Sequence, residues 1–112
     1  SERWLAVVHE VAHFPAGRVY THRFVELDRR FRLVAASAPF RFDHRGIEYA
    51  AGLCLLGEDR LLVTYGWNEC EARWVELSLS GVLARLRALP HPVRSHELDR
   101  VGRVPERDAL VP

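Results

Sequence analysis

The chain has 112 residues, of which 48% are hydrophobic and 28% charged, and its formal net charge is +1. This length fits one small domain with a packed core, and the composition argues against intrinsic disorder. The near-neutral charge argues against a nucleic-acid or membrane-surface function, since both need a basic face. No signal peptide and no apolar run of about 20 residues is present, so a cytoplasmic location is expected.

The first half of the chain predicts strands joined by turns. Residues 4–11 are apolar and β-branched and predict a strand, which a turn at 14–17 ends. Residues 18–36 predict a hairpin, because polar and apolar side chains alternate up to the charged turn at 28–30 and an apolar strand follows. A short extended piece at 39–42 completes this half.

The second half predicts three more strands and one helix. Strands are expected over 47–56, 60–65 and 71–79, with Gly52 as a bulge or a close contact. A stripe of apolar residues predicts a helix over 81–89, with Ser80 as its N-cap. Prolines and charges after it predict an extended tail over 90–112.

A repeat of about fifty residues organises these strands. The sequence Arg-Phe-Val-Glu-Leu-Asp at 23–28 returns as Arg-Trp-Val-Glu-Leu-Ser at 73–78. Such a period in short strands is typical of propeller blades. The predicted fold is therefore all-β, with antiparallel four-stranded sheets forming about two blades, at 3–42 and 47–79. Two blades do not close a ring, and the chain contains no Met, so we expect a fragment completed by missing blades or by self-association.

One short motif suggests a zinc enzyme. His9-Glu-Val-Ala-His13 satisfies the HExxH pattern, in which two His one helical turn apart bind zinc and Glu10 acts as general base. Val7 and Val8 favour a strand instead, and Pro15 would end a helix almost at His13. On a strand His9 and Glu10 face opposite sides, so the sequence favours the strand over the zinc site.

Two other segments have the composition of a sugar site. Glu48 is an acid among the apolar residues of a predicted strand, directly after a loop. Its carboxylate either faces solvent at the strand end or holds the hydroxyl groups of a sugar. Tyr65-Gly-Trp-Asn68-Glu69 ends a strand with two aromatic rings, an amide and an acid, which suit pyranose rings and their hydroxyls. An ordinary turn with a core Trp explains the second segment equally well.

Cys54 and Cys70 are the only cysteines, and their spacing fits no zinc or redox motif. Cys54 alternates with apolar neighbours, so we expect it to be a small core residue. The sequence leaves open whether the two cysteines form a disulfide.

The order of several motifs resembles the C-terminal blades of glycoside hydrolase family 130 propellers, the β-mannoside phosphorylases, and most of all their relatives in bacterial proteins linked to glycosyltransferases. The resemblance covers residues 3 to about 89. The motifs are at residues 8–11, 20–24, 37–40, 46–52, 62–66 and 68–69.

This resemblance implies a five-bladed propeller with a glycan site at the mouth of its channel. His9 lies where the phosphorylases carry a phosphate-binding His, and Glu48 resembles an acid near the sugar pocket. Tyr65, Asn68 and Glu69 are similar to the family's Tyr-Gly-x-x-Asp string, with Glu69 in place of Asp.

The catalytic Asp of that family comes from an earlier blade. No catalytic residue is therefore expected in this chain, which would contribute part of a mannoside-type site, need no cofactor and be inactive alone. The expected partners are a glycan or sugar phosphate and the missing blades. The alternatives are a small zinc hydrolase that uses His9, Glu10 and His13, and a structural self-associating β module.

Overall fold

The computed structural model describes residues 2–94, and this part of the chain is all-β with antiparallel pairing, as the sequence predicts. It contains seven strands and one short helix. In chain order they are β1 (Trp4–Phe14), β2 (Gly17–Leu27), β3 (Leu33–Ala36), β4 (Glu48–Leu55), β5 (Arg60–Trp67), β6 (Glu71–Ser78), α1 (Leu79–Ala84) and β7 (Arg87–Val93).

The first sheet has the strand order β1-β2-β3-β7. A long hairpin dominates it, in which β1 and β2 pair without interruption from Trp4 opposite Leu27 to Phe14 opposite Gly17. Gly17, at the end of the tight turn, has a φ of 136°, which a residue with a Cβ rarely adopts. The hairpin directs two rows of side chains to opposite faces, and one of these faces meets the second sheet.

The second sheet has the order β4-β5-β6 and contains three strands, one fewer than expected. The pairing of β4 with β5 shifts between Ala50 and Gly52, which confirms the predicted bulge. Cys54 pairs with Leu62 and is exposed, and so is Cys70; both thiols are free. The prediction of a core position for Cys54 is therefore wrong, because its side chain lies on the outer face of this sheet.

The structure differs from the prediction after β6, where the helix is shorter and a further strand follows it. The helix covers only Leu79–Ala84, and its N-cap is Ser78, whose hydroxyl accepts the Gly81 N–H at 3.1 Å. The chain then enters β7 and pairs with β3, so the predictions of helix up to residue 89 and of a tail from residue 90 are wrong as far as Val93. Pro90 is compatible with this position, because an edge strand needs no N–H on its outer side. Residues 95–112 of the predicted tail lie outside the described part.

Two apolar clusters hold the strands together. Phe24, Leu61, Val63 and Val82 join β2, β5 and α1, and Phe40 and Phe42 pack against them. The second cluster joins three strands of the first sheet through Val25, Leu33 and Val93. Val93 is only 2% exposed, so burial of this side chain adds to the pairing of β7 with β3. No helix among the described residues is long and apolar enough to cross a membrane.

Candidate functional site

The loop between β3 and β4 is held by one buried acid. Glu48 is 0% exposed, and its carboxylate accepts the backbone N–H groups of Phe42, Asp43 and His44. The Nδ1 of His44 lies 3.3 Å from the same carboxylate. Because both oxygens of Glu48 are used inside the loop, this residue fixes the backbone of residues 42–48 rather than facing a ligand.

The turn between β5 and β6 has a strained backbone. Asn68 and Glu69 have φ values of 51° and 58°, and the Cys70 N–H donates to the Trp67 carbonyl at 3.1 Å, which is the pattern of a type I′ turn. Asn tolerates this conformation, whereas Glu is rare in it. The Asn68 N–H also donates to the Ile47 carbonyl at 2.8 Å, which ties the turn to the preceding loop.

Side chains of the loop and the turn meet in one group, the loop–turn cluster. Its members are Asp43, His44, Glu48, Tyr65, Trp67, Asn68 and Arg73. His44 Nε2 lies 3.2 Å from the Asn68 Oδ1, and its ring centroid is 5.1 Å from that of Trp67. The guanidinium carbon of Arg73 lies 4.0 Å from the Trp67 ring centroid, within the range of a cation–π contact. Three of the predicted site residues, Glu48, Tyr65 and Asn68, are therefore brought together.

Asp43 is the electrostatic centre of this cluster. It accepts hydrogen bonds from Arg73 and from the Tyr65 hydroxyl, the latter at 3.2 Å. The hydrogen bond from Arg73 is the main reason that the pKa of Asp43 is lowered. Burial, followed by the bond to Asp43, raises the pKa of Tyr65. At neutral pH the cluster therefore presents an ionised carboxylate, a phenol that keeps its proton and a guanidinium side by side.

Glu69 and His9 lie outside the cluster. The carboxylate of Glu69 pairs with Arg18 on β2 at 2.8 Å, and Arg18 also approaches the Tyr20 hydroxyl at 3.4 Å. The exposed ring of His9 lies 5.6 Å from the Tyr20 ring. Among the described residues, Arg18 and Tyr20 form a link between these two predicted residues.

The HExxH segment does not have the geometry that a zinc enzyme needs. His9, Glu10 and His13 all lie in β1, where His9 is opposite His22 and His13 is opposite Arg18. A strand places His9 and His13 about 13 Å apart and directs Glu10 to the other face. The interpretation of this segment as a strand is confirmed. Within residues 2–94, no three His, Cys, Asp or Glu side chains are grouped so that they could hold a metal ion.

His22 lies inside the hairpin predicted over 18–36, and its pattern there indicated an ordinary strand position. It is 0% exposed, its Nε2 accepts the Ala50 N–H at 3.2 Å, and its ring centroid lies 4.5 Å from that of Phe42. Burial, helped by the nearby His9, lowers its pKa to about 4. Its Nδ1 has no hydrogen-bond partner in the described structure. The alternation of Tyr20, His22 and Phe24 on one strand face was the signal for this burial.

No known protein family, curated protein or solved structure matches the chain. The likeness to the glycoside hydrolase family 130 propellers therefore rests on the sequence motifs, and it stays a prediction.

Proposed function

We propose that the chain binds a glycan at the loop–turn cluster, as one part of a carbohydrate-active protein whose catalytic groups lie on other blades. The observation that carries this proposal is the group of partly exposed polar side chains around one indole ring. The side chains of His44, Arg73 and Asp43 are 30%, 33% and 39% exposed, and each is held by a partner within the cluster.

The chemistry of these groups suits a sugar. Hydroxyl groups of a pyranose both donate and accept, and they are best held by paired charged and amide groups such as Asp43, Arg73 and Asn68. The Trp67 ring packs behind Arg73 and His44 and supports these two side chains. The Nε1–H of Trp67 is buried without a hydrogen-bond partner in the described structure.

We propose other roles for these residues than the ones expected from the sequence. Glu48 holds the loop, Tyr65 donates to Asp43, and Glu69 pairs with Arg18 on β2. The groups proposed to contact the glycan are therefore Asp43, His44, Asn68 and Arg73, with Trp67 behind them. The resemblance to β-mannoside phosphorylases makes mannosides the first ligand class to test.

The proposal of propeller blades is supported by the two antiparallel sheets, whose strands β1 to β3 and β4 to β6 follow each other in chain order. The return of β7 to the first sheet is not part of a simple blade. We therefore propose, in addition, that further blades complete the propeller. Glycan binding can be tested directly with this chain alone.

The test is a titration of the chain with mannose, β-1,4-mannobiose, cellobiose and mannose 1-phosphate, followed by two-dimensional NMR and by thermal denaturation. We expect mannosides to raise the melting temperature, since binding to the folded state stabilises it. The variant Asn68→Gly removes the side-chain amide, and glycine adopts the positive φ of this position without strain. It should abolish the rise in melting temperature. Arg85→Ala, on the exposed end of α1, is the matched control. If no sugar at millimolar concentration shifts resonances of the cluster, the proposal is wrong.

A further inference from the structure

The edges of the two sheets differ in how well they are protected against pairing with another strand. Edge strands usually carry prolines, charges or bulges that prevent such pairing. The edge strand β7 has Pro90 and Pro92, and β6 carries Glu71, Arg73 and Glu76. The strand β4 lies against the first sheet, where the Ala50 N–H donates to His22.

In contrast, β1 is long, regular and almost without charge. It has eleven residues, no proline, no arginine and one acid, Glu10. Its pairing with β2 contains no bulge, and β1 is the terminal strand in the described order of the first sheet. Trp4 and Val8, which are 48% and 44% exposed, place apolar surface on one face of this strand. These properties are typical of a strand that pairs with a partner strand.

We propose that β1 pairs antiparallel with β1 of a second copy of this chain, across a two-fold axis at His9. The register that pairs all eleven residues has this centre, since His9 is the middle residue of Trp4–Phe14. Trp4 then lies opposite Phe14 of the second copy, and Val7 lies opposite Val11. Aromatic and β-branched cross-strand pairs of this kind stabilise antiparallel sheets.

The charges of β1 are compatible with this register. Glu10 lies opposite Val8 of the second copy, so the two acids of the dimer do not face each other. A symmetric interface must be complementary to itself, and this strand fulfils that condition in the register that uses its whole length. The pairing joins the two first sheets into one sheet of eight strands, and it is independent of the proposed glycan site.

The first experiment is a disulfide trap in a Cys54→Ser, Cys70→Ser background. His9→Cys places two thiols opposite each other with Cα atoms about 4.5–5.5 Å apart, which is within disulfide range. We expect a covalent dimer under mild oxidation. His13→Cys is the matched control, because its two copies would be about 26 Å apart in this register. Equal cross-linking at both positions, or none at His9→Cys, would overturn the proposal.

The second experiment uses sedimentation velocity over a range of protein concentrations. Val8→Glu faces Glu10 of the second copy and should weaken the dimer, whereas Val8→Lys faces the same acid and should keep or strengthen it. With two such pairs per dimer, the dissociation constants of the two variants should differ roughly 2- to 30-fold. Leu83→Glu on α1 is the control for loss of an exposed apolar group. A monomeric wild type at all concentrations, or equal weakening by both Val8 variants, contradicts the proposed register.

Discussion

Replacement of His22 by Gln should flatten the pH dependence of stability. The folded state holds the His22 imidazole neutral, because burial lowers its pKa from 6.5 to about 4. The unfolded chain takes up the proton at the ordinary value, so the stability present above about pH 6.5 decreases as the pH falls towards 4. The gap between the two pKa values corresponds to about 3 kcal/mol when fully developed, of which about 2 kcal/mol are already lost at pH 5.

The measurement is urea denaturation of wild type and His22→Gln at about pH 7.5 and about pH 5. We expect the free energy of unfolding of the wild type to fall by about 2 kcal/mol more than that of the variant between these pH values. Val63→Ala, in the same core but without a titrating group, controls for lower stability as such. If His22→Gln and wild type lose the same free energy, the imidazole is not held neutral and the assigned burial is wrong.

Three further substitutions test the site. Glu48→Gln exchanges one acceptor oxygen for a donor that faces backbone N–H groups, and it should lower the free energy of urea unfolding by about 3 kcal/mol; a change near zero would contradict the role of Glu48 in the loop. Gly66→Ala would place a Cβ 2.5 Å from the ring of the exposed Tyr49, which must shift, and should cost about 1 kcal/mol in the same assay, whereas Gly57→Ala has nothing within 4 Å and should change little. Glu69→Gly keeps the left-handed φ but removes its cost to a residue with a Cβ, about 1 kcal/mol. The ion pair that is lost with Glu69 is exposed, so thermal stability should be equal or higher. A marked decrease would show that the Glu69 carboxylate holds the turn.

Six of the seven described strands could be predicted because their segments are apolar and β-branched or alternate between polar and apolar residues, with turn residues between them. The seventh, β7, could not. Val82, Leu86 and Leu89 recur at helical spacing, and Pro90 indicates an end rather than a strand. The chain leaves the helix after Ala84 because Val93 can then be buried against Val25 and Leu33 of the first sheet. This gain depends on residues about sixty positions away, which no local pattern contains.

The composition of the candidate site was predictable, but the role of each residue was not. Tyr65, Asn68 and Glu48 were found because aromatic, amide and acidic groups stood at strand ends. Their partners are backbone N–H groups of the loop and the side chains of Asp43 and His44, which only the folded chain brings near them. A sequence shows which acids are present, but it does not show whether a carboxylate faces solvent or its own loop.

Two of the three buried groups without a hydrogen-bond partner in the described part lie against the loop between β3 and β4. His22 Nδ1 and Trp67 Nε1 both lack a hydrogen bond in the described part, and such groups cost about 1–3 kcal/mol each. Both rings pack on the same loop, His22 against Phe42 and Trp67 against His44. The loop is held by its three backbone bonds to Glu48, and also by the bonds that the carbonyls of Gly46 and Ile47 accept from the N–H groups of Tyr20 and Asn68. Because Glu48 fixes the backbone of Asp43 and His44, we expect Glu48→Gln to weaken glycan binding at the loop–turn cluster, although the carboxylate itself faces the loop.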